Sequence, residues 1–173
     1  MLAPATLVEG LRASGGLAAP PVPLGAVGVG IALRAGATLP EIADEAGFRR
    51  TVLAAETLVL NRASTGLYVE ALLARLGLAE QLAARSLRFP DGEAVLQRIA
   101  AGSGREIAFA AITEILLFRD RGVHFAGPLP AGLQNRTAYA AGLPLGAAAG
   151  APRLAAFLDG APARAAMAAA GVE

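Results

Sequence analysis

The stretch "NRASTGLYVEALLARLG", residues 61–77, follows the short apolar run "TLVL" (57–60) and sets a Ser-Thr-Gly turn before an amphipathic helix. Val69, Leu72, Leu73 and Leu76 recur at i, i+3, i+4 and i+7, so they share one helical face, and Gly77 is the expected stop. A strand that hands over to a helix through a tight turn is the repeating unit of α/β proteins. It also says where chemistry is expected, because ligands of open α/β sheets sit at the carboxyl ends of the strands. The free N–H groups near Thr65, Gly66 and Leu67, with the positive end of the helix dipole, are expected to face out of this turn. Ser64 serves either as N-cap or as a hydroxyl donor, and Gly66 lets a ligand approach the backbone. Two readings stay open: an ordinary cap, or one wall of a site that holds a small anion without a charged side chain.

Working outward, apolar strand-like runs alternate with helical patterns. Residues 5–14 have Leu7, Val8 and Leu11 at helical spacing and end on Gly15-Gly16. After "APPVP", residues 24–36 read as a buried strand rich in small side chains. Pro40 and the acids after it predict a helix that starts there. Residues 86–89 read as a strand, followed by a helix capped by Asp91 and stopped by Gly102. Residues 105–118 begin as a strand and turn helical near Ile112. Strand-like 122–127 and 136–145 precede an Ala-rich tail from Ala151. The alternation predicts an α/β fold with a mostly parallel sheet and flanking helices.

Composition narrows the function classes. The chain has 173 residues, of which 55% are apolar and 17% charged, so it is globular and long enough to bury a core. Fifteen bases against fourteen acids leave a formal charge of +1, which gives a nucleic-acid surface no support. All fifteen bases are arginine, so P-loop lysine and Schiff-base chemistry are excluded. The absence of cysteine removes thiolate nucleophiles and Cys-ligated zinc. No metal site and no cofactor is expected. No apolar run reaches the length of a membrane span, and the N-terminus lacks the basic region of a secretion signal.

The segments "LRFPDGEAVLQRIAAGSGREIAFAAITEILLF" (87–118), "GVHFAGPLPAGLQNRTAYAAGLPLGA" (122–147) and "FLDGAPARAAMAAAGVE" (157–173) resemble the molybdate-binding-protein-like branch of the periplasmic solute-binding proteins. The most specific parts are Gly-Pro-Leu-Pro to Leu-Gln (127–134), Thr-Glu-Ile-Leu (113–116) and the ending in Gly171-Val172. The resemblance implies a periplasmic-binding-protein-like type II α/β fold. Such a protein is periplasmic, closes on a small anion between two lobes, and delivers it to an ABC transporter permease. It implies ligand contacts from Ser64, Thr65 and Gly66, from the turn at Ala110 to Thr113, and from Thr137 or Tyr139 on the returning strand. It further implies a partial first lobe and first hinge strand in 1–34, a complete second lobe in 35–121, and a return strand with first-lobe helices in 122–173. The opening strands of the first lobe have no counterpart, so an uncovered sheet edge and self-association are expected.

Other candidates carry less. His124 lies in an apolar strand, where a lone histidine is more often packed than catalytic. Glu114 follows Thr113 at a helix start, where a carboxylate ordinarily meets the dipole. Gly25, Gly28 and Gly30 miss the dinucleotide fingerprint and fit a strand of small residues better. Arg62 and Arg136 flank the expected cleft segments and suit either a carboxylate ligand or a salt bridge. Three functions are therefore in play. The first is a binding protein for molybdate, tungstate or a small organic acid. The second is an isomerase of a small carboxylic acid, with Glu114 or His124 as base. The third is a non-binding interaction module.

Overall fold

The structure is a computed structural model that describes residues 1–38 and 40–173. Its elements run β1 (Leu2–Pro4), α1 (Ala5–Ala13), β2 (Val22–Arg34), α2 (Glu45–Ala54), β3 (Thr57–Asn61), α3 (Ser64–Arg75), α4 (Ala79–Ala83) and β4 (Ser86–Phe89). They continue α5 (Gly92–Ala101), β5 (Glu106–Ala111), α6 (Ile112–Leu117), β6 (Val123–Pro128), β7 (Arg136–Ala141), α7 (Ala151–Asp159) and α8 (Ala161–Ala169). Two compact units result: a larger one, Gly28–Asn135, and a smaller one, Met1–Val27 with Arg136–Glu173.

In the larger unit the strand order is β2-β5-β3-β4, with β6 also on β2. Only β3·β4 and β3·β5 are parallel, whereas β2·β5 and β2·β6 are antiparallel. The sheet is therefore mixed rather than mostly parallel. Parallel neighbours need a crossover, which α3 with α4 and then α5 supply, but apolar alternation along a chain reports burial and not strand direction. The unit also extends past the expected boundary at 121. Strand β6 pairs along β2 from Arg34↔Val123 to Gly30↔Pro128. The Gln134 amide then brackets Val29, accepting from its N–H at 2.7 Å and donating to its carbonyl at 3.0 Å. The glycines of β2 are packing residues, as the sequence indicated. A Cβ at Gly30 would meet Ile115 at 2.7 Å and Phe125 at 2.9 Å, and one at Gly28 the Gln134 amide at 3.2 Å.

Successive strand residues face opposite apolar layers, as the pleat requires. On one face Ile31, Leu33, Leu58, Leu60 and Phe109 pack against Phe48 and Val52 of α2, against Val69, Leu72 and Leu73 of α3 and against Leu76, which caps its end. The rings of Phe48 and Phe109 meet at 5.9 Å, tilted by 55°. On the other face Ala32, Val59, Ala108 and Ala110 meet Val95, Leu96 and Ile99 of α5 and Ile115 of α6. Each such Leu or Ile contributes roughly 1.5–3 kcal/mol by leaving water. Helix α2 starts at Glu45, not at Pro40. Asp44 caps it by accepting from the Gly47 N–H at 2.7 Å. Gly47 also sits close to the turn before it, where a Cβ would lie 2.8 Å from the Glu41 carbonyl.

The smaller unit pairs β1 with β7 antiparallel, from Leu2↔Ala141 to Pro4↔Tyr139. Its C-terminus returns to β2: Ala26 N–H donates to the Glu173 carbonyl at 2.7 Å, and Glu173 N–H to the Ala26 carbonyl at 2.8 Å. Gly25 permits this, with φ +112° and a would-be Cβ only 2.6 Å from that Glu173 oxygen. Its buried apolar residues are Val8, Ala140, Ala141 and Ala163.

Candidate functional site

Register places the carboxyl ends of three strands side by side in the larger unit, with Asn61↔Phe89 between β3 and β4 and Val59↔Ala108 between β3 and β5. From these ends α3 starts at Ser64, α5 at Gly92 and α6 at Ile112. The Arg62 N–H ties the β3 exit to the Phe89 carbonyl at 2.9 Å.

The cap of α3 is made by a residue the motif reading passed over. Asn61, 3% exposed and the one buried polar residue described, accepts at Oδ1 from the N–H of Ala63 at 3.1 Å and of Gly66 at 2.8 Å. Gly66 is glycine because an added Cβ would overlap the main chain of Asn61. Its role is thus to seat the Asn61 loop, and its N–H is already used. The Leu67 N–H is also taken, by the Ala63 carbonyl at 3.0 Å. The donors expected near Gly66 and Leu67 are therefore satisfied internally. Ser64 and Thr65 occupy the first two helical positions, whose amides have no intrahelical acceptor. Ser64 is exposed and Thr65 half-buried, and Ser64 makes no side-chain cap. Two amides and two hydroxyls thus gather at one helix start, on a helix locked by the buried side chains of Val69, Leu72 and Leu73 and by Tyr68 Oη donating to the Leu133 carbonyl at 2.8 Å.

Ala110 is fully buried with its methyl in the α5 and α6 layer, which leaves only its backbone for a ligand. Thr113 is half-buried in the first turn of α6. Beside it, the Glu114 carboxylate lies directly over the Cα of Gly92, the first residue of α5, where a Cβ would overlap it. Burial pushes the Glu114 carboxyl above its ordinary range, the Ala111 amide pulls it back, and the Asp91 charge adds to the rise. The Asp91 side chain meanwhile caps α5, accepting from the Ala94 N–H at 2.9 Å.

Thr137 and Tyr139 belong to the smaller unit, two apart on β7 and so on the same face, both half-buried. Ser64, Thr65, Gly66, Ala110 and Thr113 lie in the larger unit, and these two lie in the smaller. Arg136 is engaged by Glu173 at 2.7 Å, and Arg62 is exposed. His124 is exposed on β6. Among the described residues no cluster of three His, Asp or Glu is arranged for a metal ion, and no helix is long and apolar enough to cross a membrane. Asn61 had a readable signal, an Asn two residues before the helix cap, where Asx turns form. The Gly92–Glu114 contact had none, because it joins distant segments.

Comparison with known proteins supplies the family. Residues 1–173 match the model of the bacterial extracellular solute-binding proteins, and the chain belongs to that family. Among solved structures it is similar to the substrate-binding domain assigned to a molybdenum ABC transporter of Clostridium difficile. That match has a TM-score of 0.77 at 12% identity and covers 99% of this chain and 75% of that one. The periplasmic molybdate-binding protein of Azotobacter vinelandii gives 0.68 at 21% identity, covering 95% and 73%. The tungstate-binding protein of Desulfovibrio alaskensis G20 gives 0.60 at 13%, covering 94% and 70%. At these identities the shared feature is the periplasmic-binding-protein-like fold. No curated protein matches the chain.

Proposed function

For this member of the bacterial extracellular solute-binding proteins, we propose capture of a small oxyanion, molybdate or tungstate foremost and a small organic acid next, for delivery to an ABC transporter in the periplasm. The observation that carries the reading is the α3 start. Ser64 and Thr65 offer unclaimed amides and hydroxyls at the carboxyl end of a buried strand, while Asn61 holds the loop rigid from beneath. A helix N-terminus of this kind stabilises an anion by aligned N–H dipoles without a neutralising side chain. Neutral donors suit a ligand that must later be released. Ala110, Thr113 and either Thr137 or Tyr139 are the further contacts that the family resemblance proposes.

A thermal-shift series with molybdate, tungstate, sulfate, phosphate, citrate and succinate tests it. A ligand at a hundredfold excess over its Kd should raise Tm by roughly 5–10 °C. No shift with any anion at millimolar concentration would refute oxyanion capture and favour a non-binding module.

Self-association is the second part of the reading. Leu2 (60%), Leu7 (63%) and Phe157 (59%) are exposed in the smaller unit, where β1 ends the strand order. Unpaired edges and exposed apolar side chains favour pairing with another copy. Light scattering at micromolar concentration should give a mass above that of one 17.3 kDa chain, and a monomer would refute it.

A further inference from the structure

At the other end of the larger unit, by the amino ends of β3 and β5, lies a cavity of about 870 Å³. Its floor is apolar, built from Leu33 at the end of β2, Ala55 after α2 and Ile107 in β5, all buried. Most of the charges around it are committed to each other. Glu56 accepts from the Arg105 N–H and Nε, both at 3.1 Å, which holds its carboxyl below the usual range. Glu106 is paired with Arg98 through Oε1, while its Oε2 is buried without a partner. The remaining acid, Glu41, is on the exposed rim. Two guanidiniums of the wall, Arg34 and Arg50, have no carboxylate partner among the described residues. Arg34 makes one long bond, to the Ala35 carbonyl at 3.3 Å, and its Nε is buried without an acceptor.

We propose that this cavity is a second ligand site, for a small organic carboxylate with an apolar body. The carboxylate meets the Arg34 guanidinium, with Arg50 adding positive charge, and the body covers Leu33, Ala55 and Ile107. The Arg34 guanidinium holds only one long bond of its own, and a carboxylate supplies an arginine with charge-assisted bonds. The volume falls within the range of about 300–1,000 Å³ of small-molecule pockets, whose walls are mostly apolar with a few polar groups. A bare oxyanion would satisfy the arginine and leave the floor wet, so the apolar body is part of the assignment. The site is independent of the α3 start, and neither proposal depends on the other.

Benzoate is the probe, titrated into the intact chain and followed by amide chemical shifts and calorimetry, with benzylamine and molybdate as controls. Benzoate should saturate, shifting the amides of Ala55 and Ile107 but not those of Ser64 and Thr65, and benzylamine should not bind. Arg34→Gln should weaken benzoate about tenfold or more, the scale of a lost charged hydrogen bond. Ala54→Phe, at an exposed position on the wall, should block the cavity while leaving Arg34 in place. No saturable benzoate binding, shifts that map elsewhere, equal binding of benzylamine, or affinity unchanged in both folded variants would overturn the proposal. Displacement of benzoate by molybdate would reduce the site to a plain anion contact and overturn the apolar-body assignment.

Discussion

The two units of the chain handle apolar surface differently. In the larger unit every helix of three turns or so sets a buried stripe on one face of the sheet: Phe48 and Val52, then Val69, Leu72 and Leu73, then Val95, Leu96 and Ile99. In the smaller unit α1 buries Val8 alone, α7 buries nothing, and α8 buries Ala163. Yet α1 and α7 are as amphipathic in sequence as the helices of the larger unit, with Leu7, Leu154 and Phe157 on display. An amphipathic helix is thus evidence of a face that needs cover, and the sequence does not say whether the cover is present. The larger unit holds the packed α3 start to which the proposal assigns the ligand, while the smaller one leaves Leu7, Leu154 and Phe157 exposed.

The largest effect that tests this contrast is a core truncation. Leu72→Ala in the larger unit should cost about 2–5 kcal/mol, whereas Phe157→Ala in the smaller one should stay within about 0.5 kcal/mol for a monomer. Equal costs in denaturant melts would break the comparison. Next comes the loop under α3. Gly66→Ala forces a methyl into the main chain of Asn61 and should cost about 3 kcal/mol. Asn61→Ala leaves two amides unpaired at about 1–3 kcal/mol, and both variants should lose the anion-induced Tm shift at the same time. Hydrogen exchange should then grade the units, with β3 and β5 amides protected longest and those of α7 and α8 exchanging first.

The smallest effect concerns Glu114. Its folded pKa lies above the unfolded value, so its contribution is full below the unfolded pKa and is lost as pH rises through the folded one. Glu114→Gln should therefore be as stable as the parent or slightly more stable at pH 7, by less than about 1 kcal/mol. That difference should shrink as pH falls toward about 4.3. A variant that is markedly destabilised at pH 7 would show that the ionised carboxylate is needed on α5. Proton exchange on a bound carboxylic acid that disappears in the same variant would instead revive the isomerase reading.

Much of the larger unit was legible in the sequence because its signals are local. Asp91 before α5, Gly102 after it, the switch at Ile112 and the 69–72–73–76 stripe each report one element and its neighbours. What was not legible depends on contacts between distant segments. Strand direction is one such property, and the late start of α2 is another, because Pro40 and Asp44 are both acceptable starts until Gly47 packs on Glu41. At the site, the sequence marks the Ser-Thr-Gly turn as the start of α3 but not the bond from the Gly66 N–H to Asn61. Gly66 faces inward to Asn61 rather than outward to a ligand, which narrows the free donors to Ser64 and Thr65.

The central claim, an oxyanion held by those two residues, is tested most directly by titrating the labelled chain with molybdate and following backbone amide shifts. The account predicts saturable downfield shifts at Ser64 and Thr65, with the Gly66 amide little changed because it stays on Asn61. Saturation with Ser64 and Thr65 unmoved, or no saturation with either molybdate or tungstate, would contradict it.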